Sequence, residues 1–69
     1  MNHVLAKTIL KIKVIELIAK KKSVTIEEAR DLFYSSETNN LVDDEQTGLY
    51  GDSPLYVFSL FEAESNNKA

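Results

Sequence analysis

Residues 2–22 read NHVLAKTILKIKVIELIAKKK and form the longest apolar block of this 69-residue chain. Two sets of apolar residues at helical spacing lie on roughly opposite sides of it. The first set is Leu5, Ile9, Ile12, Ile15 and Ala19, and the second is Leu10, Val14 and Leu17. A helix that is apolar on two sides must be covered on two sides. Because so small a domain has a marginal core, the pattern indicates self-association or a protein partner.

The same block contains a competing strand signal, since residues 10–14 alternate apolar and charged side chains. Strands average about five or six residues, whereas this pattern continues across residues 2–22. We therefore predict a helix. Lys20, Lys21 and Lys22 end it, where cations complement the negative pole of the helix dipole.

A second helix is predicted over residues 26–36. Thr25 and Glu28 have the spacing of a capping box, in which each side chain accepts a hydrogen bond from a backbone amide at the helix start. The following residues, 37–54, are rich in acids, Asn, Gly and Ser, which is typical of turns and loops. A short helix over residues 40–46 is the alternative within this segment.

A third helix is predicted to start at Ser53 and Pro54, because serine caps helix starts and proline at the first helical position loses no needed hydrogen bond. Residues 55–61, LYVFSLF, come next and are almost all apolar. A strand is the alternative for this segment, with residues 51–54 as a hairpin turn. The helix-forming residues that follow favour a helix, and residues 65–69 are expected to fray.

These elements predict a single all-α domain over residues 1–69: a small three-helix fold with an irregular acidic link between helices 2 and 3. The alternative is an α+β, winged-helix-like fold with a C-terminal hairpin. The chain contains no cysteine, which excludes disulfides and thiolate metal sites and fits a cytoplasmic location. Lys7, Lys11 and Lys13 interrupt the apolar block, so we expect neither a signal peptide nor a membrane span.

Charge is divided unevenly along the chain. Residues 1–30 carry a net charge of +4 and residues 31–69 carry −7, for a total of −3. Such asymmetry is typical of faces that bind nucleic acid or membranes. It also arises when the two halves of a protein attract each other. The second interpretation needs no outside ligand, and we favour it.

The residue types that perform catalysis are scarce. His3 is the only histidine, and no second one is present to activate the serines. Gly48 and Gly51 are not followed by the lysine of a phosphate-binding loop. Zinc would lack nitrogen and sulfur ligands, and a calcium-loop pattern that begins at Asp43 reaches Pro54 where a carboxylate is needed. We therefore predict no enzyme activity, no cofactor and no metal site.

Three motifs carry a resemblance: EARDLFYSS over residues 28–36, DEQTGLY over residues 44–50, and Ser53-Pro54. Their order resembles that of a group of short, uncharacterised bacterial proteins, and the likeness spans residues 5–64. Comparable small helical proteins are taken as antitoxin-like partners of a neighbouring toxin, so the resemblance implies, by analogy, a non-catalytic partner role. It assigns a function to no individual residue.

The predicted function is a protein–protein interaction module that forms a homodimer or docks on another protein in the bacterial cytoplasm. The candidate contacts lie on the first and last elements and are Leu10, Val14, Leu17, Tyr56, Phe58 and Phe61. The alternative is a small DNA-binding regulator of helix-turn-helix type that uses Lys11, Lys20, Lys21 and Lys22. Acidic residues occupy the segment where a basic recognition helix should follow, so nucleic acid is not the expected partner.

Overall fold

Four helices make up the part of the chain that the structure, a computed structural model, describes, namely residues 3–67. They are α1 (Val4–Lys22), α2 (Ile26–Tyr34), α3 (Glu37–Asp43) and α4 (Pro54–Asn67), with one 3-10 turn over Leu49–Gly51. No strand occurs between residues 3 and 67, so the all-α prediction is confirmed. The hairpin and winged-helix-like alternatives are wrong for these residues, because α4 contains the whole of 55–61.

Local capping rules explain where α2 and α4 begin. Thr25 Oγ1 accepts from the N–H of Glu28 at 3.1 Å, and Glu28 Oε1 accepts from the N–H of Thr25 at 3.0 Å, which completes the predicted capping box. Ser53 Oγ accepts from the N–H of Tyr56 at 3.2 Å and so caps α4. Each of these contacts spans three residues, which is why the sequence alone is sufficient to predict them.

The predicted irregular link contains a helix of its own. Because α3 lies within it, the helix count is four, and the three-helix prediction is wrong in this respect. Ser36 Oγ starts α3 by accepting from the N–H of Asn39 at 3.2 Å. The Glu64 carboxylate of α4 accepts from the first two backbone N–H groups of α3 at 2.8 and 2.9 Å. This second contact joins distant parts of the chain, so the weak helix propensity of ETNNLVD gave no sign of it.

Helix α1 lies at the centre of the fold and packs against α2 and α4. Among the described residues, eleven buried side chains form one core cluster, whose fully buried members include Val14, Ile18, Phe33, Val42 and Val57. The Cα radius of gyration is 11.3 Å, close to the roughly 11 Å expected of a compact chain of this length. Helix α4 includes residues 65–67 of the segment that we predict to fray, and residues 68–69 lie outside the described range.

Candidate interaction surface

The six contacts predicted from the sequence lie mostly inside the chain's own core. Leu17 is half-buried and packs against that core, whereas Tyr56 is exposed. The other four have exposed fractions of 9% or less and leave little surface for a partner: Leu10, Val14, Phe58 and Phe61. They hold α1 and α4 together from within. As contacts with another protein, the six residues stay a prediction.

The side of α1 that points away from the core is apolar as well. Leu5, Ile9 and Ile12 are 73%, 45% and 52% exposed, and their spacing places them in one stripe along the helix. We call these three residues the outer face. Helix α1 therefore has the two apolar sides that the sequence indicates, but the uncovered side is the one opposite Leu10 and Val14.

A groove between α1 and α4 runs beside the outer face. Its volume is about 460 Å³, and its lining includes Lys13, Glu16, Leu17, Lys20, Pro54 and Leu55. Leu55 is 65% exposed, so the groove has an apolar wall open to solvent. Ile9 and Pro54 line a smaller adjoining groove together with Asp52. The apolar surface therefore continues from the outer face to α4.

A second groove, between α1 and α2, runs along the other edge of the outer face. It has a volume of about 230 Å³ and is lined by Ile12, Ile15, Glu16, Ile26, Arg30 and Tyr34. Ile26 and Tyr34 are 45% and 50% exposed. The outer face therefore lies between two concave surfaces that each expose large apolar side chains.

Within residues 3–67, three ion pairs join the basic first half of the chain to the acidic second half. The N···O distances are 3.2 Å for Lys7–Glu45, 2.7 Å for Lys11–Asp43 and 3.7 Å for Lys22–Glu62. The side chains of Lys7 and Lys11 are only 16% and 12% exposed, so their stems pack on the protein while the ammonium groups reach the carboxylates. These contacts support the interpretation that the uneven charge draws the two halves together.

The N-terminal turn of α1 is held in place by a charged hydrogen bond and by an aromatic contact. The hydrogen bond from the Lys7 ammonium holds the pKa of the Glu45 carboxyl below its ordinary value; partial desolvation opposes this shift, and the positive charge of Lys7 adds to it. The His3 ring stacks on Tyr50 with a centroid distance of 4.2 Å. His3 therefore packs the start of α1 on the 3-10 turn.

The cations near the outer face differ from those that join the two halves. Lys13, Lys20 and Arg30 are exposed, and in the described part of the chain no carboxylate lies within 4.0 Å of their charged nitrogens. The carboxylates that line the same grooves are those of Glu16 and Asp52. This surface therefore has an excess of positive charge, although the whole chain carries −3.

The lysines of the DNA-binding alternative do not form one free basic surface. Lys11 and Lys22 are held in ion pairs, and Lys20 and Lys21 are exposed. Helix α3 follows α2 in the chain, where a helix-turn-helix protein would have its recognition helix. Its sequence, ETNNLVD, contains no basic residue, and three of its seven side chains are buried. That helix therefore offers no lysine or arginine for phosphate contacts.

Four serine hydroxyls bind backbone groups. Ser35 donates to a carbonyl oxygen of α2 and Ser59 to one of α4, whereas Ser36 and Ser53 accept from amides at helix starts. Between residues 3 and 67, no group of three or more His, Asp or Glu side chains is placed to hold a metal ion. The Asn39 Oδ1 atom is buried without a hydrogen-bond partner in the same residues, but Asn39 lines neither groove.

None of the described helices combines the length and the apolar character needed to cross a membrane. Comparison of the chain with protein-family models, with curated proteins and with solved structures finds no match. The resemblance to short bacterial proteins therefore stays an expectation from the sequence. A function has to be inferred from the outer face and the grooves beside it.

Proposed function

We propose that this protein is a non-catalytic protein–protein interaction module of the cytoplasm, and that its outer face is covered by a second copy or by a different protein. The observation that carries the proposal is the stripe of Leu5, Ile9 and Ile12, exposed on a helix whose opposite side is buried in the core. Soluble monomers rarely leave a continuous apolar surface of this kind uncovered unless it binds something. An antitoxin-like partnership is one form that such binding takes.

The free energy available from covering this apolar surface is of the same order as the cost of association. Covering a partly exposed Leu, Ile or Tyr contributes about 1–2 kcal/mol. The outer face with Ile26, Tyr34 and Leu55 offers six such side chains, or about 6–12 kcal/mol in all. Association costs roughly 4–15 kcal/mol in lost freedom. The unpaired cations beside the grooves are the groups that can add to the binding free energy.

The experiment is site-specific photo-crosslinking in the cells that produce the protein. A photoreactive amino acid at Ile9 should yield a discrete covalent adduct, whose mass distinguishes a second copy of this 7.8 kDa chain from a different protein. The matched control is the same amino acid at Leu41, which is also exposed but lies on α3. An adduct of equal yield at both positions, or at neither, would contradict the proposal.

A separate column measurement addresses the DNA-binding alternative. The purified protein should pass through a duplex-DNA column at low salt, because α3 carries no basic residue and the whole chain carries a net charge of −3. Retention that disappears as the salt concentration rises would favour the nucleic-acid alternative.

A further inference from the structure

We infer that the partner is a different protein that presents an acidic amphipathic helix, and that this helix lies in the groove between α1 and α4. The inference rests on the proposed function and specifies the partner's chemistry. Its apolar side chains would contact Leu17, Pro54 and Leu55, and its carboxylates would meet Lys13 and Lys20. These five residues line one groove.

The spacing of the two lysines defines the charge pattern of the partner. Lys13 and Lys20 are seven residues apart on α1, which corresponds to two turns and about 10.5 Å along the axis. They lie on one side of the helix, between Glu16 and the apolar floor at Leu17, because successive residues rotate by about 100°. Neither ammonium has an ion-pair partner within the described residues. A partner helix with carboxylates seven residues apart beside its apolar stripe could pair with both lysines.

The shape of the site favours a helix over a flat surface. Leu55 is 65% exposed on one wall, and Leu17 is half-buried at the floor, so the apolar surface is recessed between two helices. An amphipathic helix fills such a groove with side chains at i, i+3, i+4 and i+7. A lipid bilayer would contact the exposed tips and leave the floor uncovered.

The charges disfavour a second copy as the occupant. In a two-fold symmetric contact each groove residue faces the same surface of its twin. The excess of positive charge on this surface would then face the same excess on the other copy, and like charges brought together at an interface cost binding energy. A partner with carboxylates at these positions avoids that cost.

The probe is a synthetic helical peptide of about three heptads with leucine at the a and d positions and glutamate on both flanks. A second peptide keeps the leucines and carries lysine on both flanks. We expect the acidic peptide to bind the full-length protein at least about tenfold more tightly than the basic one, and to weaken as salt is added. Fluorescence anisotropy of the labelled peptides measures both affinities.

Charge reversal in the protein provides the decisive control. Lys13→Glu with Lys20→Glu should reduce the affinity for the acidic peptide by about tenfold or more and increase that for the basic peptide. Lys21→Glu with Arg30→Glu makes the same change in net charge outside this groove and should change the affinity by much less. The circular dichroism of both double variants should match the unaltered protein, since all four positions are exposed.

Several results would overturn the inference. They are equal binding of the two peptides, no binding of either, equal effects of the two double variants, and an in-cell adduct of twice the chain mass. Preferential binding to vesicles of anionic lipid, with no peptide binding, would assign the surface to a membrane. If the Ile9 adduct with a different protein forms but the acidic peptide fails, the interaction module stands and only the partner's chemistry is wrong.

Discussion

Helix α1 has two apolar sides of similar composition but opposite environment. Val14 and Ile18 on the inner side are 0% exposed, whereas Ile9 and Ile12 on the outer face are 45% and 52% exposed. The residue types are alike, so hydrophobicity does not decide which side is buried. The buried side is the one on which α2 and α4 pack. Burial at each position is therefore set by the elements that pack there.

Helix α3 shows the opposite case, a polar side chain that is buried. Thr38 is only 2% exposed, while the apolar Leu5 is 73% exposed. Thr38 is held by two hydrogen bonds to Glu64, through its N–H and its hydroxyl. A buried polar group is stable when its hydrogen bonds are made. An exposed apolar stripe has no such compensation within the chain, which is why we assign it to a partner.

The largest expected effect on stability tests whether the two sides of α1 differ in burial. Ile18→Ala should lower the free energy of unfolding by about 2–4 kcal/mol, because it leaves a cavity in the core. Ile9→Ala should lower it by less than about 1 kcal/mol, because the side chain is already half exposed. Urea denaturation at low protein concentration measures both.

Similar losses from Ile18→Ala and Ile9→Ala would contradict the difference between the two sides of α1. A loss from Ile9→Ala that appears only at high protein concentration would indicate that self-association covers the outer face. Val14→Glu would not distinguish a loss of packing within one chain from a loss of self-association, since a carboxylate at a fully buried site should unfold the chain by itself.

An intermediate loss of stability is expected when the hydrogen bonds between Glu64 and the start of α3 are removed. Glu64→Ala should lower the free energy of unfolding by about 1–3 kcal/mol, because it removes the acceptor of three hydrogen bonds at the start of α3. The matched control is Glu62→Ala, two residues earlier on α4, which removes a partly exposed ion pair with Lys22. It should cost less than about 1 kcal/mol. Equal losses for the two variants would show that the contacts at α3 are not specific.

The smallest expected effect concerns pH. The pKa of Glu45 is lowered in the folded state by its hydrogen bond with Lys7, so this pair stabilises the fold fully above the ordinary glutamate pKa. The stabilisation is lost as the pH falls through the lowered value. Glu45→Gln should flatten the acid side of the plot of melting temperature against pH slightly. An unchanged acid limb in Glu45→Gln would mean that the pair contributes no measurable stability.

Sequence rules with a range of a few residues predicted much of the fold. The capping box at Thr25, the Ser53 cap and the length of α1 depend on neighbouring residues only. Helix α3 was anticipated only in part, as a short helix over residues 40–46, because the Glu64 carboxylate that binds its first two amides lies 27 residues away from Glu37. The same limitation affected the candidate site: the sequence indicates two apolar sides of α1, but the packing of α2 and α4 determines which of them is left exposed.

The contact between Glu64 and the start of α3 also has a consequence for the order of folding. A seven-residue helix is far below the length that is stable alone in water. Because Glu64 belongs to α4, α3 gains these hydrogen bonds only after α4 has been synthesised and has docked. A nascent chain on the ribosome can form α1 and α2 first, whereas α3 lacks the contacts with Glu64 until α4 has emerged. Before α4 is present, the inner side of α1 is also incompletely covered. A nascent chain that lacks α4 is therefore exposed to proteases and to aggregation.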